Sequence, residues 1–191
     1  PRTWGSLLYM FIAFVTGILY FTWVVTGLSL SVGLMILIIG IPIAVVFLLS
    51  VKGVALLEGR LVEALLGERM PRRPLFSQPG LGLMQRFKSL LSDQHTWLSM
   101  LYMFLQLPIG TFYFILAVTL NSLGLALLVA PVLQMITKIP FIYLGNSGIL
   151  LPLWLLILCT FGGLAILTLS MHLVRAIGAG HGRYAKRLLV R

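Results

Sequence analysis

The sequence predicts an all-α membrane protein. Its four transmembrane helices form two tandem hairpin repeats of parallel topology, with amphipathic helices on the cytoplasmic side. Three observations carry this. The chain is 60% hydrophobic and only 9% charged, with a mean hydropathy of +1.07, whereas a soluble domain carries about 25% charged residues. Asp, Glu, Lys and Arg are absent from three long runs, 3–51, 96–137 and 139–171. Finally, one phrase is written twice: TWGSLLYMF at 3–11 and TWLSMLYMF at 96–104.

A bilayer core about 30 Å thick needs roughly 20 apolar residues per helix, at about 1.5 Å each. The first run is long enough for two spans and must fold back on itself. TGLSLSVG (26–33) gathers the small and polar residues, which predicts a first helix over 5–27 and a second over 32–52. VALLEGRLVEALLGER (54–69) then places Val54, Leu57, Leu61 and Leu65 at helical spacing as the chain emerges. Pro71, Pro74 and Pro79 in MPRRPLFSQPG (70–80) cannot continue a helix. In GLMQRFKSLLSD (82–93), Leu83, Phe87, Leu90 and Leu91 share one face, opposite Arg86, Lys88 and Ser89. That pattern predicts a helix lying on the membrane surface.

The third span is predicted over 97–120, with a turn at TLNSLG (119–124), and the fourth over 149–172. Between them QMITKIPFIYLGNSG (134–148) carries Pro140, Gly145, Asn146 and Gly148 as loop signals. Whether 123–136 forms an extra helix at the membrane face stays open. The tail GHGRYAKRLLVR (180–191) resembles the other surface segments, and Gly178, Gly180 and Gly182 predict a flexible hinge before it.

This layout puts 13 of the 14 Lys and Arg on one side, with only Lys138 on the other. Basic residues near span ends stay cytoplasmic, so both termini and the central linker face the cytoplasm. The formal charge of +10 is then explained by topology and by anionic inner-leaflet lipids. No groove-reading module remains outside the spans, which excludes nucleic acid.

The repeat is extensive. With an offset of 93, 15 of the 32 positions from 3 to 34 are identical, including Tyr9/Tyr102, Gly17/Gly110 and Tyr20/Tyr113. LEGRLVEA (57–64) also parallels LSMHLVRA (169–176). The chain therefore reads as a single membrane domain, 1–191, with repeat 1 over 3–69, a cytoplasmic linker over 70–94 and repeat 2 over 95–191. Both hairpins begin and end inside, which predicts a pseudo-twofold axis along the membrane normal. Trp4 and Trp97 suit headgroup depth, and Tyr9 and Tyr102 extend the same interfacial anchoring further in. Ala13, Gly17, Gly110, Gly162 and Gly163 are small enough for close helix packing. Pro42, Pro108 and Pro152 are expected to kink their helices.

Little chemistry is predicted. No acid or base falls inside an expected span, unlike the ion pathways and proton relays that place them there. His95, His172 and His181 are scattered at helix ends and in the tail, and no nucleophile stands beside Asp93 and His95. Cys159, the single cysteine, suits packing. The expectation is no enzyme, no cofactor and no metal. Arg60, Glu63, Arg72, Arg73, Arg86, Lys88, Arg175, Arg183, Lys186 and Arg187 are the candidate cytoplasmic contacts with a partner or with lipid.

Thr3-Trp4, Tyr9 and Gly17, followed by the GLSL turn (27–30) and by LVEALLG (61–67), resemble the bacterial putative sensor domain family. That family is a four-helix membrane module, often N-terminal to histidine kinases and also free-standing. The chain stops at Arg191, soon after its last span, so the expectation is a free-standing module in the bacterial inner membrane. The resemblance implies a membrane sensor without catalysis, relaying a membrane or ligand signal to a separate kinase or regulator by helix shifts. The alternative is an accessory subunit of a larger membrane complex, such as an ABC-type transporter. Either reading implies contact with another membrane protein or a second copy of the chain.

Overall fold

Where no water competes for backbone hydrogen bonds, a spanning chain satisfies them internally, and here it does so almost wholly as helix. The computed structural model describes residues 2–37, 39–70, 82–140, 142–145 and 147–189. In order these form α1 (Arg2–Gly33), a 3-10 turn (Leu34–Ile36), α2 (Gly40–Leu66), α3 (Leu83–Ser92) and α4 (Gln94–Thr137). The hairpin strands β1 (Ile142–Leu144) and β2 (Ser147–Ile149) follow, and α5 (Leu153–Leu189) ends the order. The strands pair antiparallel, Ile142 with Ile149 and Leu144 with Ser147. Among the described residues four helices, α1, α2, α4 and α5, are long and apolar enough to cross a membrane, so the chain is a multi-pass membrane protein.

The helices run further than the sequence predicts. The expected turn at 26–33 lies inside α1, and the one at 119–124 inside α4. Polar side chains there bond to the preceding turn: Ser31 donates to the Gly27 carbonyl and Asn121 to that of Ala117, both at 2.7 Å. A polar group satisfied in this way does not force the backbone out of the helix. The reversal comes at 34–40 instead, where a Cβ on Gly40 would strike the Leu34 carbonyl. The segment 123–136 is simply more of α4. That helix ends at Lys138, which adopts a left-handed cap with φ 55°.

The second span and the segment after it fuse into α2, which stops at Gly67 (φ 76°), whose N–H caps the Glu63 carbonyl at 3.1 Å. The fourth span and the tail fuse into α5, so Gly178, Gly180 and Gly182 are helical and form no hinge. Gly178 instead lets α5 close on Ser6, and Gly182 lets it close on Glu68. Pro42 sits in the first turn of α2 and Pro152 just before α5. A proline there removes no intrahelical bond, so neither kinks a helix. Pro108 lies within α4, as does Pro131.

The central contact is between α1 and α4. Gly17 admits the Gln106 backbone, and Gly110 admits that of Ala13. Rings flank the contact: Phe21–Phe104 at 5.0 Å and Phe14–Phe114 at 4.6 Å between centroids. In the 93-residue register Phe21 and Phe104 are ten residues apart, about 15 Å along an axis. Helices lying side by side in that register could not bring those rings together. Yet Tyr9 and Tyr102, equal in the register, also meet, with their hydroxyls 3.4 Å apart. Both contacts hold only where the helices cross steeply. The C-terminal halves of α2 and α5 brace the crossing, burying Tyr9, Ala13, Val51, Val62, Tyr102 and Ala185 in one core.

Beyond the crossing, α1 with α2 and α4 with α5 continue as two-helix arms. Their outer faces expose apolar side chains such as Val32, Ile39, Val132 and Phe161. α3 packs along α2. Its expected membrane face is divided: Leu90 is buried and Phe87 packs on the core, while Leu83 and Leu91 are exposed. Lys52 pairs with Asp93 at 2.7 Å, pinning the start of α4 to α2.

Candidate functional site: a buried tyrosine–glutamate–histidine cluster

Because α2 continues past Lys52, it carries Glu58 into the crossing, and because α5 continues through its glycines, it carries His181 there. Tyr9 and Tyr102 enter from α1 and α4. These four side chains are 1%, 1%, 1% and 0% exposed. The expected interfacial anchoring by Tyr9 and Tyr102 is therefore corrected, since both face the protein interior. Glu58, which the sequence reading places on the segment emerging after the second span, is buried with them.

The bonds form one network. Tyr9 donates to Glu58 Oε1 at 2.7 Å, Tyr102 reaches the same oxygen at 3.0 Å, and Tyr20 donates to Oε2 at 2.9 Å. His181 Nε2 lies 2.7 Å from the Tyr9 hydroxyl and 3.0 Å from that of Tyr102. Its Nδ1 lies 3.2 Å from the Tyr113 hydroxyl. Gln106, fully buried, points its amide nitrogen at Tyr9 from 3.5 Å. The Tyr184 ring closes the cluster against His181 and Tyr102, with centroids at 5.6 and 5.5 Å.

A carboxylate placed in apolar surroundings is costly unless its oxygens are hydrogen-bonded. Three hydroxyls meet that requirement here, and two of them also touch the imidazole. The arrangement can hold and redistribute a proton, and it couples four helices through a few short bonds. At the edge of the crossing, Asp93 caps α4, accepting from the His95 N–H at 3.1 Å and the Thr96 hydroxyl at 3.3 Å. Partial burial disfavours its charge, but the Lys52 ammonium and the His95 N–H outweigh that and hold its pKa below the usual carboxylate value.

The chain matches the family described as "Putative sensor" over residues 9–189. It belongs to that family. No curated protein matches the chain, and no solved structure does. The stretch shared with the putative sensor family runs from the first tyrosine of the cluster to the end of α5, and so contains every residue of the network.

In this putative sensor chain the other expected site residues are dispersed. Trp4 and Trp97 are exposed, the latter donating to the Leu91 carbonyl at 2.8 Å. Ala13, Gly17 and Gly110 form the crossing, and Gly163 packs on the Gly124 carbonyl in the second arm. Gly162, expected to pack, faces open space instead. Arg60, Glu63, Lys88, Arg175, Arg183 and Arg187 are exposed, and Arg86 is half-buried. Lys186 lies 3.9 Å from Glu68. Arg72 and Arg73 lie outside the described residues. His172 is exposed and bonds the Thr168 carbonyl at 2.8 Å, apart from the cluster. In the first arm an apolar groove of about 370 Å³ opens between α1 and α2, lined by Trp23, Leu30, Pro42, Val46 and Phe47.

Sequence reasoning missed Glu58, Tyr20, Tyr113, Gln106, Tyr184 and His181 as site residues. One signal was present. Both repeated tyrosine pairs, Tyr9/Tyr102 and Tyr20/Tyr113, belong to the cluster.

Proposed function

We propose that the chain is an integral membrane sensor-type module without catalytic activity. It relays a membrane or ligand signal to a separate kinase or regulator through shifts of its helices. One observation carries the reading: a buried network draws polar side chains from α1, α2, α4 and α5 at the point where those helices cross. Buried polar networks have few fully satisfied arrangements, so a displacement of one helix is transmitted to the others as an exchange of bonds. Such discrete rearrangements are what a switch needs.

In this reading the chain is two tandem hairpin repeats. Reciprocal contacts support it, because Gly17 on Gln106 and Gly110 on Ala13 exchange under the 93-residue offset. The basic ends of α2 and α5, with Arg60, Arg175, Arg183 and Arg187 exposed, face the cytoplasmic surface of a bacterial inner membrane. There they meet anionic lipid and a partner membrane protein or a second copy of the chain.

The test is a distance measurement on the full chain in bilayers. Spin labels go at Val32 and Phe161, both exposed on opposite arms, with Cys159 replaced by serine. The expected result is a distance distribution that shifts with lipid composition or with a co-purifying partner, and that Tyr9→Phe perturbs. A single distance under every condition, unchanged by Tyr9→Phe, overturns the reading.

A further inference from the structure

We infer that Glu58 and His181 together form a proton-binding site, with one exchangeable proton held on the imidazole at the helix crossing. The inference deepens the proposed function by naming the ligand, and it rests on hydrogen accounting within the cluster.

An ionised carboxylate only accepts, and each tyrosine has one hydrogen to give. Tyr20 gives its hydrogen to Oε2 at 2.9 Å. Tyr9 and Tyr102 each lie within bonding reach of both Glu58 Oε1 and His181 Nε2. If Nε2 were an acceptor, one of those two hydrogens would have to leave the carboxylate. If Nε2 carries a hydrogen, it donates to a tyrosine oxygen, and both tyrosines give their hydrogens to Oε1. Nδ1 is then an acceptor, and Tyr113 at 3.2 Å is placed to donate to it. Glu58, His181 and the hydroxyls of Tyr9, Tyr20, Tyr102 and Tyr113 are then all paired with the imidazole neutral and the carboxylate charged, while the Gln106 side-chain oxygen and the Tyr184 hydroxyl stay outside the exchange.

One more proton fits with a single adjustment. It adds to the Nδ1 lone pair, the imidazole becomes cationic, and Nδ1–H now donates to Tyr113, whose hydroxyl rotates to accept. No other bond changes. The net charge of the cluster goes from minus one to zero. An unpaired carboxylate in apolar surroundings is the costly state, and the added proton converts it into a compensated ion pair.

The groups facing the imidazole are Tyr9 from α1, Tyr102 and Tyr113 from α4, and Tyr184 from its own helix. Glu58 of α2 lies behind the two bridging hydroxyls. The Glu68–Lys186 pair lies close by on the surface, with Glu68 packed on Gly182 next to His181. Among the described residues no lysine or arginine is bonded into the network, and His181 is placed to supply a compensating positive charge.

The test uses the full chain with isotope-labelled histidine in lipid nanodiscs, titrated by nitrogen NMR over roughly pH 4–8, where carboxylates and imidazoles change charge. His181→Gln assigns the signal against those of His95 and His172. The expected result is a one-proton titration of His181, with Nε2 protonated throughout. Glu58→Gln removes the compensating charge and lowers the midpoint by about one pH unit or more. A His181 signal that stays in one protonation state across the range overturns the inference, as does a midpoint unmoved by Glu58→Gln. The wild-type titration decides by itself if the variant does not assemble. Titration of His181 with invariant arm distances would sink the relay and leave the proton site standing. Arm movement without titration would sink the proton site alone.

Discussion

Each tyrosine hydroxyl stabilises the Glu58 carboxylate to a different degree, because each has a different number of partners. Tyr20 makes one bond, to Oε2, whereas Tyr9 lies between Oε1 and His181 Nε2 at 2.7 Å from each. Leaving a buried acceptor short of a donor costs about 1–3 kcal/mol, and more when the acceptor is charged. Tyr9→Phe is therefore expected at the upper end of that range and Tyr20→Phe at the lower, while Trp4→Phe, on the surface, stays within about 0.5 kcal/mol. Chemical unfolding in detergent, followed by circular dichroism, measures all three, and equal losses for the two tyrosine variants would mean that Tyr9 bridges nothing. The tyrosines themselves were legible as repeated letters in an apolar run. Their depth was not, because it depends on where α2 ends, and Lys52 gave a misleading mark. Its charge reads as the end of a span, yet Asp93 neutralises it at 2.7 Å and the helix continues to Leu66.

Helices here are positioned by close approaches and by caps, and both can be tested by single changes. A Cβ at Gly17 would lie 2.7 Å from the Gln106 carbonyl oxygen, and one at Gly110 would strike that of Ala13. Either contact is with backbone, which cannot step aside, so α1 and α4 must separate. Gly110→Ala and Gly17→Ala are each expected to cost about 1–3 kcal/mol, as overpacking does. Gly162→Ala, with nothing within 4 Å, is expected to be neutral or slightly stabilising by helix propensity. Equal melting temperatures for the three variants would remove the glycines from the crossing. The start of α4 offers a different handle. Asp93→Ala deletes the cap and the Lys52 pair, with a loss of about 0.5–2 kcal/mol for the cap. Its pKa lies below the unfolded value of about 3.9. The stabilisation is thus fully present above pH 4 and is lost as pH falls through the lower folded value. Unfolding curves of wild type and Asp93→Ala should run at a constant separation from pH 7 to pH 5 and converge only in stronger acid. The helices as such were legible from charge-free runs, whereas their ends were not. Ser31 and Asn121 look like turn residues in the sequence, but they bond to their own preceding turns.

At the scale of the whole molecule, the steep crossing changes how the chain meets a bilayer. α4 has 44 residues, about 66 Å of helix, against a hydrocarbon core of about 30 Å. It fits only by tilting and by leaving part of its length outside the core. The two arms diverge from a shared base, and the basic residues gather there: Lys52 beside Asp93, Arg60 on α2, and Lys186 and Arg187 in the last turn of α5. Lys138 stands at the opposite end of the second arm, capping α4. Transferring a cluster of cations across a membrane is far costlier than transferring one, so the base is expected to stay on the cytoplasmic face. This is tested with single cysteines in a Cys159→Ser background and a membrane-impermeant maleimide. Lys138→Cys should react in intact cells, and Arg187→Cys only after permeabilisation. If Arg187→Cys reacts first, the crossing lies on the outer side, and its cluster would sample the pH of the exterior instead of the cytoplasm. The same experiment thus fixes which compartment His181 reports on, since the base that carries Arg187 also carries the histidine less than two turns earlier in α5.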